Sequence, residues 1–430
     1  MSARLTILQK LRRSGFLQGV TVLMGGTMLV QLVPLLALPV LSRLYSPETF
    51  AMLALVMMAA SLTAPLSTGY YEQAIAHPRQ PGRARMLASI AIWLAASSTL
   101  LVVAVLSFTW PLIMRYLTPT ASPIWLVALP FALLGGSLGN IANYWLLRAG
   151  RHARQSSIRL VHALCNAGLA IALGLAHLPY GLLYAFMLAV SLAACWGMAS
   201  AYRHGFRLQR LHGRRYALPA MHHYREFPLF GSIPATFNNL ALQLPLIAIT
   251  ANYTLAQTGH FSVTRNLLSG SIILASACIG QVLMKHLAAR MHRREMLWPF
   301  FSKVLLGVGM LGALGGVAIY ALGPWFFRLY LGAGWEDSGR ILQQLAVSMP
   351  FMLLGASLAP ALVVTRRLKI MARWQVFYAA LSAGLFLCGG LLFGRFIWCV
   401  VGMECLAYGL YIPLIAWQIR RFDQASLLSR

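Results

Sequence analysis

The sequence predicts an all-α, polytopic membrane protein with twelve transmembrane helices in two parallel-repeat halves of six. Three observations predict it. Twelve apolar windows of span length follow one another, each flanked by charges, proline or glycine. Only 10% of the 430 residues are charged and 59% are hydrophobic, whereas a soluble domain carries about 25% charged residues. The basic residues also alternate from one loop to the next.

The windows run at 16–41, 49–70, 86–108, 123–146, 156–177, 179–201, 228–251, 256–283, 299–322, 341–364, 372–393 and 396–419. Each is close to the roughly 20 apolar residues that cross a hydrocarbon core. The first follows a basic start (Arg4, Lys10, Arg12, Arg13) and stays apolar to Leu41. That is longer than the roughly 7–15 residues of a signal-peptide core, so it is expected to be an uncleaved span. Only a few residues separate windows 5 and 6, and windows 11 and 12.

Lys and Arg number 35 against 8 Asp and Glu, a formal charge of +27. With the N-terminus in the cytoplasm, the opposite face holds only Arg43, Arg115, Arg328, Arg340 and Arg395, and Arg265 alone lies deep inside a window. All other basic residues fall at the termini, in loops 2–3, 4–5, 6–7, 8–9 and 10–11, or at the window ends that flank those loops. Cytoplasmic loops carry this excess, so both termini are expected in the cytoplasm. A basic balance of this size also suits nucleic acid, but no soluble basic domain exists to present it, and no nucleic-acid partner is expected. The six cysteines (165, 195, 278, 388, 399, 405) sit in apolar runs without a C-x-x-C pair, so no metal site or disulfide framework is indicated.

Loop 6–7, from Tyr202 to Phe227, is the longest polar segment. It divides the chain into an N-terminal lobe (1–205), a basic cytoplasmic linker (206–227) and a C-terminal lobe (228–430). Six spans per half give both halves the same orientation, as in parallel repeats. Tyr45-Ser46-Pro47 aligns without gaps on Tyr253-Thr254-Leu255, which places Ala51 on Gly259. Spans 1 and 7 are expected to be broken by Pro34 and Pro39 and by Pro234 and Pro245. Proline removes a backbone donor and kinks a helix, so these are either hinges or examples of the general frequency of proline in membrane helices.

Arg265 lies about ten positions into span 8, roughly 15 Å deep at 1.5 Å per residue. An arginine there costs at least about 2.5–3.5 kcal/mol and must face protein or water. Thr258, Ser262, Arg265 and Ser269 share one helical face, which suits a cationic patch able to hold a phosphate. The alternative is a structural arginine that caps carbonyls or pairs with Glu404. Thr236, Asn239 and Gln243 form a stripe on span 7 and either line a cavity or tie helices together. Two acids lie in or at the edge of spans. Glu72 and Glu404 are candidates for ion coupling, or for structural pairs: Glu72 with Arg79 or Arg83, Glu404 with an arginine. No P-loop and no H-E-x-x-H are present, so P-loop ATP hydrolysis and that zinc site are not indicated.

QLVPLLALPVLSRLYSPETFAMLAL followed by GYYEQAIAHP, together with FNNLALQLPLIAITANYTLAQTGHFSVTRNLLS and IGQVL, resembles the signatures of lipid-linked oligosaccharide (O-antigen type) flippases. These are polysaccharide export proteins of the multidrug/oligosaccharidyl-lipid/polysaccharide (MOP) exporter superfamily. The chain departs from the family pattern at Gly69-Tyr70-Tyr71-Glu72 and Ala76-His77-Pro78. The resemblance implies two six-helix lobes around a central cavity, with alternating access. It implies flipping of an undecaprenyl-pyrophosphate-linked oligosaccharide across a bacterial inner membrane for lipopolysaccharide or exopolysaccharide assembly. Arg43 and Arg265 would hold the pyrophosphate. The expected partners are that substrate, membrane lipids, and a polysaccharide polymerase and glycosyltransferases. No cofactor is expected beyond a proton or sodium gradient driving antiport. The competing readings are an ion-coupled multidrug or small-molecule exporter of the same superfamily, a membrane-embedded polysaccharide-processing enzyme, and a non-transporting scaffold.

Overall fold

The structure, a computed structural model, describes residues 15–116, 124–209, 214–293, 295–365 and 367–428. Arg4, Lys10, Arg12, Arg13, Arg210, Arg294, Arg366 and Arg430, used above to orient the chain, lie outside the described residues. Among those described there is no strand. Sixteen α-helices follow one another: α1 Gly15–Leu44, α2 Pro47–Ser67, α3 Tyr71–Ala74, α4 Pro81–Tyr116, α5 Ile124–Arg148, α6 His152–Leu175, α7 Gly181–Arg203 and α8 Arg214–His223, then α9 Ile233–Asn252, α10 Leu255–His292, α11 Trp298–Leu331, α12 Glu336–Leu345, α13 Met349–Leu358, α14 Pro360–Val364, α15 Leu368–Ala383 and α16 Phe393–Leu428.

A helix occupies each of the twelve expected positions. Among the described residues, nine helices are long and apolar enough to cross a membrane, and a bent pair makes a tenth. That pair corrects the tenth window. Instead of one helix over 341–364, the chain forms Ala333–Leu345 and Met349–Val364, bent by 60°. The cause is local: Pro350 sits in the first turn of α13, where it starts a helix but cannot continue one from upstream. The expected breaks at the other prolines are corrected too. Helix α1 runs through Pro34 and Pro39, and α9 runs through Pro245. The irregularity of span 7 is instead a π-helical turn at Pro228–Ser232, just before Pro234. Helices α4, α10 and α16 have 36, 38 and 36 residues. At 1.5 Å per residue they reach about 54–57 Å, beyond a core of about 30 Å.

The chain divides into two compact units, Met1–Tyr45 with Met52–Asn239, and Ser46–Ala51 with Leu240–Arg430. In the first, Tyr71, Ile75, Leu87, Ile141, Trp145, Ile158 and Phe206 form a buried cluster. Arg148 at the end of α5 donates to the carbonyls of Ile75, Pro78 and Arg79 and so fixes the loop before α4. Tyr45 Oη donates to the buried Ala170 O of α6 at 2.8 Å.

In the second unit, Leu287, Phe301, Leu358, Tyr411 and Ile415 form the core. Helix α10 opens with a capping box: Thr254 Oγ1 accepts from Gln257 N, and Gln257 Oε1 accepts from Thr254 N. Each device satisfies a backbone donor that a helix start leaves open. Tyr253 Oη donates to Leu391 O at 2.8 Å. The aligned tyrosines thus make the same kind of bond, each to the fifth span of its own half.

Candidate functional site

Helices α10 and α16 bring Arg265 and Glu404 together. Arg265 is the eleventh residue of α10 and Glu404 the twelfth of α16, so both lie roughly 15–17 Å along their helices. Arg265 Nη1 donates to Glu404 Oε1 in a direct ion pair. The bend between α12 and α13 supplies the third member. Ser348 Oγ lies 2.6 Å from Glu404 Oε2 and 3.0 Å from Leu345 O. Its single proton goes to the carboxylate, the shorter and charge-assisted contact. Tyr378 from α15 and Tyr408 from α16 lie within electrostatic reach of both charges. Tyr378 Oη is buried with no hydrogen-bond partner among the described residues.

The two partners are not equally enclosed. The Glu404 side chain is 0% exposed and the Arg265 side chain 17%. Both carboxylate oxygens are engaged, while the Arg265 side chain keeps part of its surface exposed. Guanidinium carries five N–H donors in a planar fork, so a second anionic group can reach it. The sequence left Arg265 open between a cationic patch and a structural pair with Glu404. The structure forms the pair, and the arginine's charge is already neutralised.

The other sequence candidates separate. Ser262 Oγ donates back to Gly259 O on α10 at 3.0 Å, and Ser269 is half-buried one turn beyond Arg265. Asn239 Nδ2 donates to Ser61 O at 2.8 Å, which ties α9 to α2. Gln243 is half-buried one turn further along α9. Arg43 is exposed and donates to Pro39 O on its own helix at 2.6 Å. Glu72 lies in α3 and is only 6% exposed. Its expected partners Arg79 and Arg83 are exposed, and Glu72 Oε2 has no partner among the described residues. Burial pushes the Glu72 carboxyl above its ordinary pKa.

Sequence reading missed Ser348 and Tyr378. The only available signal for Ser348 was Ser348-Met349-Pro350, a helix breaker in the middle of an apolar run. The sequence also holds one Gly-x-Ser-x-Gly spacing, Gly135 to Gly139, the pattern of a hydrolase nucleophile elbow. An elbow needs a sharp strand-to-helix turn. Here the pattern lies inside α5, and Ser137 Oγ is buried 2.9 Å from Ser67 Oγ.

A family model described as polysaccharide biosynthesis protein matches residues 40–340. No curated protein matches the chain. Among solved structures, the lipid II flippase MurJ in an inward closed conformation aligns at a TM-score of 0.71 and 10% identity, over 95% of this chain and 91% of that one. A MOP superfamily transporter from Pyrococcus furiosus aligns at 0.58 and 16% identity, over 94% and 95%. A MATE structure in complex with MaL6 aligns at 0.58 and 14% identity, over 94% and 97%. At these identities the structural likeness establishes the fold. The chain has the fold of MOP-superfamily transporters and belongs to the polysaccharide biosynthesis protein family.

Proposed function

We propose that this protein is a flippase that moves an undecaprenyl-pyrophosphate-linked oligosaccharide across a bacterial inner membrane by alternating access, for surface polysaccharide assembly. The observation that carries the reading is Arg265: a partly exposed cation about ten residues into a helix of span length, in a chain of the polysaccharide biosynthesis family. A guanidinium is suited to phosphate oxygens because its fork matches their geometry. The protein that MurJ names is itself a lipid II flippase. Ser262 and Ser269 share the helix face of Arg265. Gln243 in the same unit, and Asn239 and Arg43 in the other, are proposed as further substrate contacts, and a proton or sodium gradient supplies the drive. Polymerase and glycosyltransferases would act on either side of this step.

The test is Arg265→Ala in cells. Surface polysaccharide is lost even with expression raised until the membrane holds as much variant as wild type, which offsets the stability lost with the ion pair; retained polysaccharide refutes the reading. The likeness to MATE structures favours a second reading, export of small molecules. An organic cation needs an uncompensated carboxylate, and Glu404 is already paired. Drug resistance conferred by the chain, with polysaccharide unchanged by its deletion, would favour that reading.

A further inference from the structure

Glu404 presents to Arg265 what a phosphate would present: an anionic oxygen that accepts from the guanidinium. It does so from a fully enclosed position, whereas the Arg265 side chain is partly exposed. We propose that Glu404 is a built-in occupant of an anion seat at Arg265, that substrate pyrophosphate displaces it, and that the displaced carboxylate takes up one proton. This rests on the reading of Arg265 as the pyrophosphate anchor.

The proton follows from the surroundings of Glu404. Helix α10 offers Arg265 to it. The α12–α13 bend offers Ser348, a neutral donor to Oε2. Helix α15 offers Tyr378, and α16 itself offers Cys405 and Tyr408. Among the described residues no second cation lies within ion-pair distance of it. A carboxylate stripped of its arginine in an enclosed, water-poor site is an uncompensated charge, and such a group neutralises by binding a proton. Tyr378, buried on α15 beside Arg265 and within electrostatic reach of Glu404, is the neighbouring hydroxyl that the new O–H would turn to. In balance, the Arg265–Glu404 pair plus pyrophosphate and one solvent proton become an Arg265–pyrophosphate pair plus a neutral Glu404 acid. Release reverses each step.

Two consequences follow. The empty seat carries no net charge, so no unpaired ion crosses the membrane when the protein returns empty. The seat also takes up a proton together with the anion, so a counter-transported proton or sodium ion must bind elsewhere in the chain.

The experiment is calorimetric binding to the full chain in lipid nanodiscs. The probe is a short-chain isoprenyl pyrophosphate-linked monosaccharide, a diester whose own charge does not change near neutral pH. Wild-type affinity should fall about tenfold per unit rise in pH, the slope for one linked proton. Heats in two buffers of different ionisation enthalpy should report one proton taken up. Glu404→Gln should bind tightly at every pH with no uptake, and Arg265→Ala should not bind. Ser348→Ala keeps the ion pair but removes a donor to the carboxylate, so its pH dependence should move to higher pH; this variant decides the matter if Glu404→Gln does not fold. Equal, pH-independent binding by wild type, Glu404→Gln and Ser348→Ala overturns the displacement and leaves the seat standing. Undiminished binding by Arg265→Ala, or no binding by any form, overturns the seat and the proposed function with it.

Discussion

Gly259 packs against the backbone of Pro47 with no room for a side chain: a Cβ there would lie 1.9 Å from the Pro47 carbonyl oxygen. The obstacle is backbone at the start of a helix, so it cannot swing away. Gly259→Ala should therefore cost about 3 kcal/mol or more, the upper range of overpacking. Gly270 lies on the same helix with nothing within 4 Å of its would-be Cβ. Gly270→Ala should be neutral or slightly stabilising, because alanine is the better helix former. Thermal unfolding of the purified variants separates the two; equal midpoints would refute the close approach.

Asp423 near the end of α16 accepts from Leu297 N and Trp298 N at 2.8–3.0 Å. It thereby caps the start of α11 from a helix more than a hundred residues away in sequence. The carboxylate is 3% exposed, and the positive end of the helix favours its charge. Asp423→Ala should cost about 1–2 kcal/mol through the lost cap. Asp423→Asn keeps an acceptor but loses the charge and should fall between. Thermal midpoints in that order would support the assignment, and an unchanged Asp423→Ala protein would refute it.

Glu72 gives a pH dependence of definite sign. Its folded pKa is raised by burial, so the folded protein holds this proton more tightly than the unfolded chain. Its contribution is favourable at low pH and becomes a penalty as pH rises through the folded pKa. Glu72→Gln removes the penalty. The variant should be more stable than wild type at neutral and alkaline pH, and the difference should shrink on acidification. Melting curves across pH test this; a Glu72→Gln protein that is less stable at alkaline pH would contradict it.

The span pattern was legible because span length and hydropathy are local properties. Helix ends were legible where a proline or a cap marks them, as at Pro47 and Thr254. The alignment of Tyr45 with Tyr253 found its physical counterpart in two tyrosine-to-carbonyl bonds, although sequence alone did not say what those hydroxyls reach. Long-range partnerships were not legible. Arg265 and Glu404 are 139 residues apart, and their pairing could be no more than one alternative before the fold was known. Ser348 was invisible because its role depends on a 60° bend within a window that reads as one continuous apolar run. Glu72 was left open between ion coupling and a pair with Arg79 or Arg83; only tertiary packing reveals that its oxygen is buried away from both arginines.

The ion pair allows stability and transport to be separated. Arg265→Ala leaves Glu404 enclosed with Ser348 as its remaining donor among the described residues. Breaking a buried pair in this way should cost about 3–5 kcal/mol. Glu404→Gln leaves the charge on the partly exposed partner, which water can reach, so its cost should be smaller. Replacing both residues by leucine removes both charges, and similar exchanges elsewhere are neutral or stabilising. Arg265→Leu with Glu404→Leu should therefore melt at or above the wild-type midpoint. If Arg265 anchors an anionic substrate, the same double variant should still fail to restore surface polysaccharide in cells lacking the native protein. A stable double variant that restores polysaccharide would reduce the pair to a structural brace.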